Sequence, residues 1–456
     1  MTGAVRDAHA RLRGAFSLDD VPPVAARIAR LERLGAALRA RRAELIAAIG
    51  SDFGPRAESE TMTAELAFLL TGLRHTIRHL PGWSRPRTRR VLQPVPGRTD
   101  IWTEPKGVVG ILSPWNYPLQ LALMPLISAV AAGNRVLLKP SERTPATATA
   151  MASLIEEVFP PDEVAVVTGG PEVAQAVTDL PLGHLFFTGS TETGRKVAQA
   201  AARTLTPVTL ELGGRSPAVA LPGASPKDHA PMIAWGAWLN AGQTCVAPNH
   251  VWVPQADVAR WVDALCGAAR GFLPDDYSAM IDATAMARIE RLIAEARAGG
   301  AAIHVAEGEL PSEGSIAPTI VVDPPADSAL MTEEIFGPVL VVLSYCDPEA
   351  VLRAEAGATP LAAYVFDTDA ARARRFLARL RSGGGAVNAT VLHLAAHDLP
   401  FGGIGESGHG AYHGHRGFRE FSHERAVFTA LRGPWLKLLL PPYSPVARRI
   451  FRRMTD

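Results

Sequence analysis

Residues 24–50 read VAARIARLERLGAALRARRAELIAAIG, with apolar residues returning every three or four positions and Arg and Glu between them. That period predicts amphipathic helices, and the helical pattern holds up to Leu80. Residues 89–105, RRVLQPVPGRTDIWTEP, hold two short strand-like runs around Pro-Gly and predict a hairpin. From Val108 the period changes. VVGIL, RVLLK, EVAVV, HLFFT and PVTLEL are short, continuous apolar runs separated by helical stretches such as LQLALMPLISAVAA and TETGRKVAQAAARTL. Five such strands alternating with helices predict an α/β fold with a mostly parallel, doubly wound, Rossmann-like sheet. PAVAL, a helix near Ala234, VWV, AAIHV, VLVVLSY, AAYVF and a helix over 372–381 repeat the alternation and predict a second α/β domain. No internal repeat or low-complexity tract interrupts this order.

Composition narrows the function classes. The 456 residues carry 46 Lys+Arg against 45 Asp+Glu, a net charge of +1, so the chain has no field for holding a polyanion and nucleic-acid binding is not expected. Forty Gly and 37 Pro are spread over many turns, which speaks against a disordered chain. Cys245, Cys266 and Cys346 are too few for a disulfide framework and fit a reducing, cytoplasmic setting. The first twenty residues contain no apolar run of the kind export requires. The longest greasy stretch, residues 119–132, is interrupted by Gln120 and Pro125 and falls short of the roughly 18 apolar residues of a membrane span. Near the end, Arg448, Arg449, Arg452 and Arg453 surround apolar positions, a pattern suited to a solvated tail, a cover for a partner subunit or weak peripheral contact with an anionic membrane.

Parallel sheets bind ligands beyond the carboxyl ends of their strands, so the turns there are searched first. After HLFFT, the run Gly189-Ser190-Thr191-Glu192-Thr193-Gly194 opens a helix whose free N–H groups can face a phosphate, although a plain turn reads the same. RVLLK runs into Lys139-Pro140-Ser141-Glu142, an amine and a carboxylate suited to a ribose or to solvent. In GILSPWNYP, Asn116 either aims its amide at a developing oxyanion or caps the next helix. In NAGQTCVAP a polar, Gly-bearing loop places Cys245 between helix and strand, where a thiol can meet a ligand, while Cys266 and Cys346 read as small buried hydrophobes. Glu211 ends the apolar run TLEL, which calls for either a function or an ion pair. His393, His397, His409, His413 and His415 lack a matching carboxylate or Cys set, so no metal is expected.

In chain order the sequence holds PWNYP at Asn116, KPSE at Lys139, FTGSTETG at Gly189, LELGGRSP at Glu211, GQTCVAP at Cys245, EEIFGPV at Glu334 and LPFGG at Phe401. This ordered set resembles the aldehyde dehydrogenase superfamily over nearly the whole chain. GQTCVAPNHV, LPFGGIGESGHGAYHGHRGF and KLLLPPYS make it most similar to the class 3 branch and to its coniferyl aldehyde dehydrogenases. The resemblance implies a dinucleotide-binding domain of 1–88 and 107–213, bridging and oligomerisation segments of 89–106 and 386–430, a catalytic domain of 214–385 and a tail of 431–456. It implies that Cys245 is the nucleophile, that Asn116 and the Cys245 N–H hold the oxyanion, and that Glu211 is the general base. Lys139 and Glu142 match the adenosine ribose, Gly189, Ser190 and Gly194 the pyrophosphate turn, and Glu334 and Phe336 the nicotinamide region. Pro114, Trp115, Ser141, Thr188, Leu212 and Gly213 complete the implied cofactor set. Tyr117, Trp235, Thr244 and Phe401 fall where class 3 relatives line the substrate tunnel. Arg215 stands where the family usually has Lys, and Ala389 where near relatives usually have a polar residue, departures that bear on substrate fit and rate.

The expected reaction is NAD(P)-dependent oxidation of an aldehyde to a carboxylic acid through a thiohemiacetal and a thioester, on aromatic or medium to long aliphatic aldehydes. NAD is favoured because Glu142 repels a ribose 2′-phosphate. Two rivals are a CoA-acylating enzyme, against which Glu211 speaks, and a catalytically silent binding protein, against which the joint presence of Asn116, Glu211 and Cys245 speaks. The hairpin near Arg90 to Glu104 and the strand-like GGAVN suggest a homodimer by sheet extension, although an exposed hairpin can equally fold back on its own chain.

Overall fold

A helix with apolar side chains on every face has to be surrounded by protein. In the computed structural model, which describes residues 2–19, 21–92, 96–433 and 435–456, helix Gln120–Ala132 is buried at every position. Helices Val24–Ala40 and Phe68–Trp83 pack on it, which explains the amphipathic period of the N-terminal quarter: those helices roof the first sheet.

That sheet has the spatial order 408–409, 208–211, 184–188, 108–112, 135–139, 164–166, in which all pairs are parallel except the short Gly408–His409 edge. The first strand of the series, Val108–Leu112, lies between the second, Arg135–Lys139, and the fourth, His184–Thr188. The chain therefore winds outward in one direction and then in the other, as a doubly wound sheet must. The crevice of such a sheet opens where the direction reverses, beyond Leu112 and Thr188.

The second sheet has the order 302–305, 319–322, 339–345, 248–254, 216–220, 362–366, 384–387, parallel except for its first pair. Strand Thr319–Val322 was not anticipated from the sequence. Gly384–Val387, read as a candidate for dimer extension, pairs with Ala362–Phe366 and forms the edge of this chain's own sheet. A third, antiparallel sheet joins Arg87–Val91, Gly97–Pro105 and Ser422–Ala430, so the predicted hairpin is completed by a strand of its own chain. Gln93, Pro94 and Val95 of the hairpin connection lie outside the described residues. Among the described residues no helix is long and apolar enough to cross a membrane. The basic tail forms helix Pro445–Thr455, which exposes Val446 and Met454 beside its arginines.

Candidate active site

Helix Pro226–Trp238 ends in a tight turn, and strand Pro248–Pro254 begins a few residues later. The connection needs a sharp reversal, made by three consecutive left-handed residues: Asn240 at φ 54°, Ala241 at 51° and Gly242 at 73°. For Asn and Ala this conformation is strained and has to be held by neighbours. Glu60, buried, accepts from the Asn240 N–H at 2.7 Å. The Gln243 side chain donates to the carbonyls of Asn240 and Ala279, at 3.0 and 3.1 Å, and accepts from the Ile281 N–H. The loop so fixed presents Cys245 half-buried. Burial first, then the nearby Glu334 and Glu211 carboxyls, pushes its thiol up to about 12, while the N–H groups of Cys245 and Val246 act in the opposite sense.

Asn116 is buried beside this loop, and its amide donates to the Gln243 carbonyl at 3.1 Å. A carboxamide has two N–H donors, so one remains for a ligand oxygen. The capping role left open by the sequence is not the one observed. The N-terminus of helix Gln120–Ala132 is satisfied by Glu65, whose Oε2 accepts from the N–H groups of Leu119 and Gln120 at 2.8 and 2.9 Å. The Asn116 carbonyl takes hydrogen bonds from Arg56 at 3.2 Å and Asn240 at 2.9 Å. Arg56 also pairs with Glu65 at 3.1 Å, both side chains fully buried.

Glu211 is buried with neither carboxylate oxygen hydrogen-bonded. Among the described residues it has no ion-pair partner, so the structural ion pair that its position allowed is not formed. Burial, and then the Glu420 charge, raises its pKa well above the usual carboxylate range. Glu334 lies against the Gly213 backbone, where any Cβ would collide with its carboxyl. Burial pushes Glu334 up to about 7, opposed by the Gly214 N–H and the Arg288 guanidinium. Phe336, left-handed at φ 49°, meets the Trp115 ring edge-on at 5.5 Å.

The crevice beyond the first sheet is a cleft of about 750 Å³, lined among others by Pro114, Trp115, Lys139, Ser141, Glu142, Thr188, Gly189 and Ser190. Lys139 is 3% exposed, so it is not the solvated loop lysine its sequence context allowed, and its Nζ donates to Glu142 at 2.5 Å. Burial raises the Glu142 pKa, but the Lys139 hydrogen bond, a backbone N–H and the Lys139 and Arg143 charges together outweigh it and hold the carboxyl below its ordinary value. Ser190 caps helix Thr191–Ala202 by accepting from the Thr193 N–H, which leaves the N–H groups of Thr191 and Glu192 without an intrahelical partner at the end of the helix next to the cleft. Of the predicted cofactor set, Gly194, Leu212, Gly213, Glu334 and Phe336 are not in the lining of this cleft, and Gly194 and Leu212 have a packing role instead. They pack against each other behind the cleft, where a Cβ on Gly194 would sit 2.5 Å from a Leu212 methyl. Gly194 thus serves close helix–strand packing.

A nicotinamide dinucleotide fits the groups this cleft leaves open. The Ser113 and Thr188 hydroxyls of its lining are buried without partners, in positions that a ligand with ribose hydroxyls and phosphates can satisfy, and Glu334 Oε1, outside that lining, is unpartnered as well. At Gly189 a Cβ would meet the Phe187 ring at 2.5 Å, so the backbone alone faces the cleft there.

A second cavity, of about 200 Å³, has Cys245 in its wall. Tyr117, Trp235, Thr244 and Phe401, the four predicted tunnel residues, all line it, and the Tyr117 hydroxyl is 2.6 Å from Thr244 Oγ1. Thr63, Phe68, Leu121, Val391, Tyr412 and His413 also line it and were not anticipated. Tyr412 and His413 follow LPFGG closely enough to have been found with it. Thr63 comes from the π-helix Thr61–Ala67, for which the sequence offers no sign. The buried Arg56, Glu60 and Glu65 were also missed. Cys266 is half-buried, and Cys346, read as buried, is exposed and donates to Gln255 at 2.8 Å from the turn that ends its strand. Among the described residues no cluster of His, Cys, Asp or Glu is arranged to hold a metal.

Comparison with known proteins agrees with this arrangement. A family model described as aldehyde dehydrogenase family matches residues 2–427. A relative from Pseudomonas aeruginosa, named probable coniferyl aldehyde dehydrogenase, is 40% identical over 98% of this chain and 95% of its own. A solved structure of Staphylococcus aureus AldH in a substrate-bound state superposes with a TM-score of 0.92 at 32% identity, covering 99% of both chains. A Mycobacterium tuberculosis aldehyde dehydrogenase complexed with NAD+ gives 0.86 at 29% identity, covering 94% of this chain and 90% of its own. Matched by that family model over residues 2–427 and by a relative 40% identical over 98% of its length, the chain belongs to the aldehyde dehydrogenase family.

Proposed function

We propose that the protein oxidises an aldehyde to a carboxylic acid with a nicotinamide cofactor, through covalent intermediates on Cys245. The supporting observation is the Cys245 loop itself. One half-buried sulfur lies in the wall of an apolar cavity, with the Asn116 amide hydrogen-bonded to its loop and two carboxyls close enough to act on it electrostatically.

The Cys245 thiolate adds to the carbonyl carbon, forming the S–C bond of a thiohemiacetal and placing charge on the former carbonyl oxygen. The free N–H of Asn116 and the Cys245 N–H hold that oxyanion, and one such donor is typically worth about 3–4 kcal/mol. A bound nicotinamide cofactor supplies a positive charge that favours the thiolate and an acceptor for the hydride leaving the thiohemiacetal carbon. The thioester left on Cys245 is hydrolysed by a water whose proton passes to Glu211. Its raised proton affinity makes Glu211 a stronger base than an exposed carboxylate. Lys139, Ser141, Glu142, Thr188, Gly189 and Ser190 would hold the dinucleotide in the cleft, and Glu334 and Phe336 would hold its nicotinamide portion.

NAD is preferred over NADP. The Glu142 carboxylate faces the cleft and repels a 2′-phosphate, while Arg143 is engaged by Asp282 and stacks on Trp115 at 4.4 Å. Tyr117, Trp235 and Phe401 favour flat aromatic aldehydes of the coniferaldehyde type, in keeping with the name of the Pseudomonas relative. The free edge of strand Gly384–Val387 and the exposed Trp102 and Phe428 of the three-stranded sheet suit a homodimer. The free thiols suit the cytoplasm.

The test is Cys245→Ala. It should bind NAD+ and an aldehyde yet form no NADH above background, while the parent enzyme turns over cinnamaldehydes with a higher kcat/KM than alkanals and releases free acid. Full activity in the variant, or acyl-CoA as the product, defeats the reading.

A further inference from the structure

A directed chain of side chains runs through the strand that carries Glu211 and ends on Glu420. Lys106 Nζ lies 3.1 Å from His184 Nδ1, His184 Nε2 lies 2.8 Å from Thr209 Oγ1, and the Thr209 hydroxyl donates to Glu420 Oε1 at 2.8 Å. An ammonium only donates, so His184 Nδ1 accepts and its proton sits on Nε2. That proton points at Thr209, whose own hydrogen is then free for Glu420. Every donor in the chain thus points toward the Glu420 carboxylate. His184 stays neutral in this arrangement, since burial, followed by Lys106 and His409, pushes it down to about 3.

The chain meets the catalytic strand at Thr209. Thr209 and Glu211 are alternate residues of strand Val208–Glu211 and so share one face of the sheet. Gly408 pairs with Glu211 across the sheet edge, and two residues later Gly410 leaves room for the contact. A Cβ on Gly410 would lie 2.9 Å from Thr209 Oγ1 and 3.0 Å from Glu420 Oε1. Glu420 ends helix Gly414–Glu420, its side chain 15% exposed, with Arg416 at 3.6 Å. Glu211 interacts electrostatically with Cys245, Tyr412 and Glu420, none of them a cation; Glu420 accepts from Thr209, lies 3.6 Å from Arg416 and acts on Lys106 through its charge.

Resting on Glu211 as the base of the hydrolytic step, we propose that Glu420 is a positioning residue. It is a fixed negative charge, held by the Lys106–His184–Thr209 chain, that sets the pH range over which Glu211 takes a proton from water. The charge is not needed for hydride transfer. Its effect is confined to hydrolysis of the thioester, the step in which Glu211 changes protonation.

The experiment is the pH dependence of acid release after the NADH burst, in the full-length enzyme with NAD+ and benzaldehyde. Activity falls as Glu211 is protonated, and a neighbouring anion makes that happen at higher pH. Glu420→Gln should therefore move the acid limb down by about one pH unit, leaving the burst amplitude intact. Glu420→Asp, which keeps the charge, should restore the parent limb. Thr209→Val, which unhooks the carboxylate without removing it, should move the limb in the same direction by less. An unmoved limb in Glu420→Gln, including one at uniformly reduced rate, overturns the inference. Normal turnover in Glu211→Gln instead overturns the assignment of the base, so the two failures are distinguishable.

Discussion

Asn116 and Gln243 are joined by a 3.1 Å hydrogen bond from the Asn116 amide to the Gln243 carbonyl, which ties the turn beyond one sheet to the cysteine loop before the other. The bond fixes the carboxamide against the backbone two residues before Cys245 and leaves its second N–H uncommitted, and the Arg56 and Asn240 donors on the Asn116 carbonyl keep the backbone from yielding.

Asn116→Ala removes an oxyanion donor that strengthens its hold only as charge develops on the oxygen. We expect kcat to fall about 10²–10³-fold with KM for the aldehyde changed far less. Steady-state kinetics at saturating NAD+ checks this. A loss confined to KM would mean that Asn116 serves ground-state binding instead.

Cys245 offers a second prediction, with its sign set by burial. A thiol pushed up to about 12 is almost wholly protonated at neutral pH, and thiolate appears only as the pH rises toward that value. Alkylation of the cofactor-free enzyme by iodoacetamide should accelerate about tenfold per pH unit from 7 to 9 without levelling off. Adding NAD+ should raise the rate at pH 7, because a cation near the sulfur favours its ionised form. Peptide mapping of the labelled residue separates Cys245 from the exposed Cys346. A plateau below pH 8 without cofactor would refute the assigned environment.

The parts of this arrangement that were legible in the sequence are those where local chemistry and tertiary position coincide. VVGIL, RVLLK and HLFFT read as strands because parallel strands covered on both faces have continuous apolar middles, with polar residues only at their ends. The turns after them carried Asn116, Lys139 and Gly189 in plain view. Thr319–Val322 was not legible, since four residues after a proline give too short a run to separate from a loop. Gly408–His409 is a two-residue edge inside a glycine-rich segment and has no period at all. Cys346 was misread because the apolar run before it suggested burial, whereas the chain turns outward at that residue. Arg56, Glu60 and Glu65 lie in a polar stretch that reads as solvent-facing, and only the packing of helix Gln120–Ala132 and the cysteine loop over them puts them inside.

That buried charge group carries the last prediction. Arg56 and Glu65 pair at 3.1 Å with both side chains fully buried, and Arg56 is flanked by the Phe53 and Tyr117 rings at 4.6 and 5.1 Å. Removing one partner of a buried ion pair typically costs about 3–5 kcal/mol, and after loss of Glu65 only the buried Glu60 carboxyl remains to act on the Arg56 charge. Glu65→Ala adds the loss of the acceptor that satisfies the Leu119 and Gln120 N–H groups. Glu65→Gln keeps an acceptor there while removing the charge, so it should be the milder of the two. We expect the urea midpoint to fall in the order parent, Gln, Ala. Because Arg56 also holds the Asn116 carbonyl, kcat should fall in the same order at temperatures where all three remain folded. A Glu65→Ala enzyme within about 1 kcal/mol of the parent would show that the interior tolerates the guanidinium without Glu65, and the scaffold role assigned to this pair would have to be given up.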